Sequence, residues 1–165
     1  MGNRRFGDDT RAKIFGGYVE FRFENPQGEV DWKTYLNDFE KRMKNLMPVF
    51  ERWGGYMLES IERTHKAEGR PKKWAALSPK TIKDRIRLGF GASPILDRTG
   101  KMRRSYTFEA RPRSFTLGNS TKYHKYHQYG TPTIPVRLTI QLLAQDKAQF
   151  TRARNKYVET GDIDL

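Results

Sequence analysis

Two of the three histidines of the chain, His124 and His127, lie three residues apart in the stretch YHKYHQYG at 123–130. On a helix this spacing places both imidazoles on one face, where they could bind a metal ion or act as a base. A metal site needs at least a third ligand, and no acidic residue occurs between Glu109 and Asp146. We therefore predict no bound metal and no cofactor here, and we expect the tyrosines to pack and the histidines to lie at an edge or a subunit contact.

Hydrolytic chemistry would need a nucleophile or a carboxylate beside one of these histidines. The candidates by composition are Ser105, Ser114, Ser120 and Asp97, in no spacing that is typical of a hydrolase. The glycine-rich stretch GFGASP at 89–94 has no strand before it, which argues against a dinucleotide site. The sequence therefore predicts that the chain is not an enzyme and contains no catalytic residue.

Basic residues dominate the chain and concentrate in its middle. The net charge of the 165 residues is +13, and residues 63–113 hold 15 Lys or Arg against four Asp or Glu, an excess of 11. Such an excess favours contact with nucleic-acid phosphates or with acidic protein surfaces. The cations that we expect to face DNA or a partner are Arg70, Lys72, Lys73, Arg103 and Arg104. A stand-alone protein that binds nucleic acid irrespective of its sequence is therefore the alternative function.

The chain has no cysteine, which excludes disulfides and the common structural zinc sites. No run of about 18 apolar residues occurs, and the basic N-terminal stretch lacks the apolar segment of a signal peptide. We expect a soluble protein that folds in a cytoplasm and has no membrane partner.

Alternating apolar and polar residues predict the strands. They indicate a strand at 17–24, and two strands at 105–110 and 114–119 that a tight link at 111–113 joins. LTIQLLA at 138–144 predicts a final short strand.

Apolar residues that recur every three or four positions from Trp32 to Ile61 predict a long helix with Asp31 as its N-cap. Pro48 should bend this helix or restart it, because proline lacks a backbone donor. Shorter helices are predicted at 78–88, 99–105, 123–130 and 145–158.

The predicted fold class is α+β, with a small antiparallel or mixed sheet flanked by a long bent N-terminal helix pair and a C-terminal helix. We expect a mobile N-terminal arm at 1–16, a single domain at 17–158 and an acidic C-terminal tail at 159–165.

Five short motifs follow one another between residues 74 and 137. They are WAALS at 74–78, ILDRTGKMRRS at 95–105, LG at 117–118, YHKYHQYG at 123–130 and IPVR at 134–137. In this order they resemble the phage virion morphogenesis family, the tail-completion proteins of tailed bacteriophages, closely over 74–137 and loosely over 32–158. The matching residues are Trp74, Leu77, Ser78, Leu96, Thr99, Gly100, Ser105, Tyr123, His127, Gln128, Gly130, Pro135 and Arg137. Tyr129 stands where the family has phenylalanine, and Leu138 stands where proline is common.

The resemblance implies a structural virion protein, a connector-type subunit that forms a homo-oligomeric ring, with a hexamer favoured. It places the ring at the neck or at the head-proximal end of the tail, and leaves tail terminator, head–tail joining ring and tail-completion factor open. The implied partners are neighbouring neck and tail proteins, together with passing DNA, and the implied location is the virion, with assembly in the host cytoplasm. Within the fourth motif we expect Gly130 to end a helical turn, and His127 and Gln128 to orient the following loop by hydrogen bonds.

Overall fold

The structure, a computed structural model, describes residues 10–15, 18–23 and 31–163, the first two ranges through their backbone alone. The chain divides into two compact units, residues 1–38 and 39–165. The strands are β1 Thr10–Phe15, β2 Tyr18–Phe23, β3 Tyr106–Arg111 and β4 Ser114–Asn119. The helices are α1 Trp32–Lys44, α2 Met47–Lys66, α3 Pro79–Arg87, α4 His124–Tyr129 and α5 Ala144–Thr160. The predicted α+β class is confirmed.

The first two strands pair antiparallel, in a register that runs from Thr10 opposite Phe23 to Phe15 opposite Tyr18. The strand predicted at 17–24 is therefore confirmed as β2. Residues 10–15, which we assigned to the N-terminal arm, form β1, and residues 1–9 of that arm lie outside the described residues. Two consecutive glycines, Gly16 and Gly17, are the sequence signal that could have predicted this hairpin.

The predicted helix pair is present and breaks where proline requires it. Asp31 precedes α1 as expected, and its Oδ1 accepts a hydrogen bond from the Lys33 amide at 3.1 Å. The chain leaves the helix at residues 45–46 and restarts at α2, with Pro48 in the first turn. Proline is tolerated there because amides of the first turn have no partner within the helix.

The core of the second unit forms where α2 packs against β3, β4 and α5. The ring of Trp53 on α2 lies 4.8 Å from that of Phe115 on β4 and 4.9 Å from that of Phe150 on α5. The buried apolar side chains of α2 follow the helical repeat, at Val49, Trp53, Met57 and Ile61. This apolar face is the one that the spacing predicted.

An acidic side chain that the sequence analysis did not single out joins α5 to α2. Asp146, in the first turn of α5, is 0% exposed. Its carboxylate accepts hydrogen bonds from the Tyr56 hydroxyl at 3.0 Å, the Ser60 hydroxyl at 3.1 Å and the Leu143 amide at 2.9 Å. Its position three residues after Leu143, at the start of the helix, is a signal that could have identified it.

Three expectations about local structure were wrong. Residues 138–143 form no strand, because side chains rather than a neighbouring strand bind their backbone, as described below. The helix predicted at 99–105 is reduced to a 3-10 turn at Arg103–Ser105, because Gly100 before it has a φ of 72°, which a right-handed helix does not permit. Among the described residues the strands form two separate two-stranded sheets rather than one.

Candidate interaction site

The fourth and fifth motifs lie on α4 and on the post-α4 segment, residues 131–143. Gly130 ends α4 with φ 75° and ψ 174°, a conformation that is essentially restricted to glycine. A side chain here would also meet Val136, whose Cγ2 would lie 2.8 Å from an added Cβ. The chain then turns through reciprocal backbone hydrogen bonds between Thr131 and Ile134 at 2.9 and 3.2 Å. Gly130 therefore ends the helix as predicted, in an extended conformation with a positive φ rather than in the left-handed helical one.

Gln128 fixes the path of the post-α4 segment. Its Oε1 accepts hydrogen bonds from the amides of Thr139 and Ile140 at 3.0 and 3.1 Å, and its Nε2 donates to the carbonyl of Ile140 at 2.6 Å. A single amide side chain thus takes the place that a paired strand would occupy. The predicted role of Gln128 is confirmed.

His127 contributes through its backbone rather than through its ring. Its carbonyl accepts a hydrogen bond from the Arg137 amide at 2.7 Å. Its Nδ1 is buried with no hydrogen-bond partner among the described residues. The expected hydrogen bond from His127 to the loop is therefore present and is made by the backbone, while the ring is packed in a half-buried position.

Arg137 joins the fifth motif to the first. Its side chain is 4% exposed, and its Nε and one Nη donate to the carbonyls of Ala75 and Ala76 at 2.9 and 3.0 Å. These carbonyls lie in an irregular stretch before α3, where no helix or strand would bind them. A buried guanidinium is thereby used to hold two loops together.

Trp74 makes the second connection between the same two segments. Its indole Nε1 donates to the carbonyl of Leu138 at 2.9 Å. Its ring packs edge-on against His65 of α2, with the centroids 5.3 Å apart. His65 Nε2 lies 3.2 Å from the hydroxyl of Tyr106, the first residue of β3. Trp74 therefore anchors both segments to the core.

His124 continues this chain of contacts into α4. Its ring packs edge-on against Tyr106, at 5.5 Å between centroids, and its Nε2 lies 2.7 Å from the Thr139 hydroxyl. Sequence reasoning assigned no role to His65 and treated His124 as an edge residue. His65 follows Ile61 by four positions and so continues the apolar face of α2, which is a signal that could have identified it.

Burial controls the protonation of these groups. Desolvation lowers the pKa of His65 to about 4 and raises the pKa of Tyr106 to about 12. Burial also lowers the pKa of His124 and of His127. All three imidazoles are therefore neutral at pH 7, which suits packing and neutral hydrogen bonds.

The second motif forms a compact turn. The Ser105 hydroxyl donates to the Lys101 carbonyl at 2.6 Å, and the Arg104 guanidinium donates to the Thr99 carbonyl at 3.1 Å. The backbone carbonyl of Ser105 accepts from the Ser120 amide at 3.2 Å, which ties the turn to the end of β4. All three contacts are made to backbone carbonyls, so the motif stabilises the path of the chain through this turn.

The remaining motif residues differ in burial and in role. Ser78 caps α3 as predicted, and its hydroxyl accepts from the Thr81 amide at 3.2 Å. Leu77 and Leu96 are half-buried, whereas Tyr123 and Pro135 are exposed.

The five predicted basic residues do not form one free cationic surface. Arg70 donates to the Ser60 carbonyl at 2.8 Å, and Arg103 pairs with Asp97 at 2.8 Å. Arg104 is bound to Thr99, as described above, and Lys73 donates to the Ala67 carbonyl. Lys72 is exposed, and no hydrogen bond or ion pair to its ammonium is found in the described part of the chain.

The outer side of the site is apolar. The exposed side chains on α4 and on the post-α4 segment, which we call the outer apolar residues, are Tyr126, Tyr129, Val136, Leu138 and Leu142. Tyr129 is 80% exposed and Val136 is 53% exposed. Side chains of this kind on a firmly held backbone are typical of a protein–protein contact surface.

Among residues 31–163 no three histidine or acidic side chains lie close enough to hold a metal ion together. The helices within the described residues include none with the length and apolarity to cross a membrane.

Comparisons with known proteins assign the chain to a family. No curated protein and no solved structure matches it. The sequence model of the phage virion morphogenesis family matches residues 30–159 of the 165, which include all five motifs and both loops that Arg137 and Trp74 join. The chain belongs to the phage virion morphogenesis family.

Proposed function

We propose that this chain is the subunit of a homo-oligomeric ring, with a hexamer favoured, at the neck or head-proximal end of a bacteriophage tail. There it completes or terminates the tail and joins it to the head, in contact with neighbouring neck and tail proteins. Membership of the family indicates a role in phage virion morphogenesis. The ring and its position in the virion are the proposal.

The outer apolar residues are the observation that carries this proposal. Tyr129 exposes 80% of its surface although Gln128, its neighbour, is held by hydrogen bonds to the post-α4 segment. A rigid backbone that presents aromatic and aliphatic side chains loses little conformational entropy when a partner covers them. A ring subunit contacts a neighbouring subunit on each side, and these contacts need exposed apolar surfaces of this kind.

Imaging of assembled particles tests the proposal. Phage that lack this chain should accumulate separate heads and tails, and supplying the wild-type chain should restore joined particles. A chain carrying Tyr126→Ser and Tyr129→Ser should fold normally, fail to form rings and fail to restore joining. Lys80→Ser and Lys83→Ser, which change two exposed residues of α3, serve as the matched control. A wild-type chain that stays monomeric and is absent from purified particles would contradict the proposal.

Nucleic-acid binding is the second candidate, and the net charge of +13 favours it. Several exposed lysines have no hydrogen bond or ion pair to their ammonium groups among the described residues, namely Lys72, Lys80, Lys83, Lys101 and Lys122. A stand-alone DNA-binding protein should bind duplexes of any sequence and lose affinity steeply as salt rises. Absence of measurable binding at about 50 mM salt, where phosphate contacts are strong, would exclude it.

A further inference from the structure

A groove of about 220 Å³ lies between the stretch before α3 and the post-α4 segment. Its lining combines apolar and basic side chains, from Pro71, Lys72, Lys73, Trp74, Val136 and Leu138. Val136 and Leu138 are 53% and 42% exposed, and both lysines are exposed. This groove suits an extended peptide in which apolar and acidic side chains alternate, since successive side chains of such a peptide point to opposite sides.

A peptide of this chemistry occurs in the chain itself. Within the acidic segment predicted at 159–165, residues 162–165 read Asp-Ile-Asp-Leu, and only these four are called the acidic tail from here on. They follow α5 directly after Gly161. In a chain with 32 Lys or Arg against 19 Asp or Glu, this local acidic run has charge complementarity to much of the rest of the protein. The apolar residues that alternate with the aspartates, Ile163 and Leu165, match the apolar side chains of the groove.

The acidic tail begins at the end of α5 that lies away from the segment lining the groove. Gln141, which lines the groove, comes three residues before α5, and the 17 residues of that helix span about 25 Å. The tail leaves the other end, where Arg42 donates to the carbonyls of Val158 and Glu159 at 3.2 and 3.0 Å. Four extended residues cover at most about 14 Å. The extended tail spans less than α5, which favours the tail of another copy as the occupant of the groove.

We propose that the acidic tail of one copy binds in the groove of a neighbouring copy, with its carboxylates at Lys72 and Lys73 and its apolar side chains against Trp74. This contact joins two different surfaces, so that each copy both donates a tail and accepts one. Such heterologous contacts close into a ring when the rotation between copies permits it. The inference rests on the proposed ring and specifies one of its interfaces.

Charge reversal tests the contact in the full-length chain. The groove variant carries Lys72→Glu and Lys73→Glu, and the tail variant carries Asp162→Lys and Asp164→Lys. A third chain combines all four changes, and Lys80→Glu with Lys83→Glu on α3 gives a control with the same charge change as the groove variant. Assembly is followed by native mass spectrometry and sedimentation over a range of concentrations, and thermal melts verify that each chain folds.

The groove and tail variants should each raise the assembly midpoint concentration roughly tenfold, because like charges then face each other. The combined chain should recover most of the wild-type assembly, and the control should leave it unchanged. A free peptide of residues 159–165 should disperse the wild-type assembly, whereas the same peptide with both lysines should not.

Three results separate the two proposals. A wild-type chain that stays monomeric overturns the ring and the interface together. An assembly that forms equally well in the groove and tail variants overturns the interface and leaves the ring standing. Loss of assembly in both variants without recovery in the combined chain also overturns the interface.

Discussion

The indole Nε1 of Trp74 donates a hydrogen bond of 2.9 Å to the carbonyl of Leu138, 64 residues further along the chain. Arg137, next to Leu138, donates to Ala75 and Ala76, next to Trp74. Two loops are thereby held side by side through their backbone carbonyls. The motifs that mark the family thus function here as connections between irregular segments.

Replacing Arg137 with methionine should lower the free energy of unfolding by about 2 kcal/mol, because the carbonyls of Ala75 and Ala76 lose their charged donors. Methionine retains much of the aliphatic volume, so the loss reports the hydrogen bonds. Urea unfolding measures it, with Arg113→Met at the exposed hairpin tip as the control. Equal midpoints for the two variants would contradict the connecting role of Arg137.

Replacing Gln128 with alanine should cost about 2 kcal/mol, since the amides of Thr139 and Ile140 lose their acceptor. Hydrogen exchange should rise at these two amides more than in α2. The matched control is Gln145→Ala at an exposed position of α5. Unchanged protection at Thr139 in the Gln128 variant would show that another group holds the segment.

The neighbouring glycines of α2 should respond to alanine in opposite directions. A Cβ at Gly54 would lie 2.5 Å from the Phe108 ring, whereas a Cβ at Gly55 meets nothing within 4 Å. We expect Gly54→Ala to destabilise the protein by about 1–3 kcal/mol through overpacking. Gly55→Ala should stabilise it by up to about 1 kcal/mol through helix propensity. Thermal melts of the two variants compare the effects directly, and a similar shift in both would argue against close packing of α2 on β3.

Stability should fall as the pH is lowered from about 6.5 to about 4. In this window unfolded histidines take up a proton, whereas the folded pKa of His65 is lowered to about 4 by burial, so that the unfolded chain binds more protons. His65 accounts for a loss of at most about 3 kcal/mol in the free energy of unfolding, and this loss is complete below pH 4. His124 and His127 act in the same direction.

Urea unfolding at pH 7 and pH 5 measures this effect. Substitution of His65 by glutamine, which can still bond the Tyr106 hydroxyl, should reduce the pH dependence without abolishing it. An unchanged difference between the two pH values would indicate that His65 titrates normally in the folded protein.

Sequence patterns predicted the elements that depend on local spacing or local backbone chemistry. Pro48 predicted the restart of α2, Ser78 predicted the cap of α3, and alternation predicted β3 and β4 nearly to the residue. Each of these features is decided within one or two turns of the chain.

The site could be predicted only in part. The order of the motifs indicated the family, and Gln128 was correctly assigned to the following loop. The strand expected at 138–144 does not form, because the side chain of Gln128 makes the backbone hydrogen bonds there. Hydrophobic periodicity does not indicate which group will bind a backbone amide.

By itself, the sequence determined the α+β class, the apolar face of α2, the positive net charge and the motif order that indicates the family. The tertiary structure alone decided which cations are free and which histidines are buried. Arg70 and Arg103 became internal donors because Ser60 and Asp97 lie beside them in space. Contacts between residues far apart in the chain, such as Trp74 and Leu138, depend on how whole elements pack, and local spacing does not record that packing.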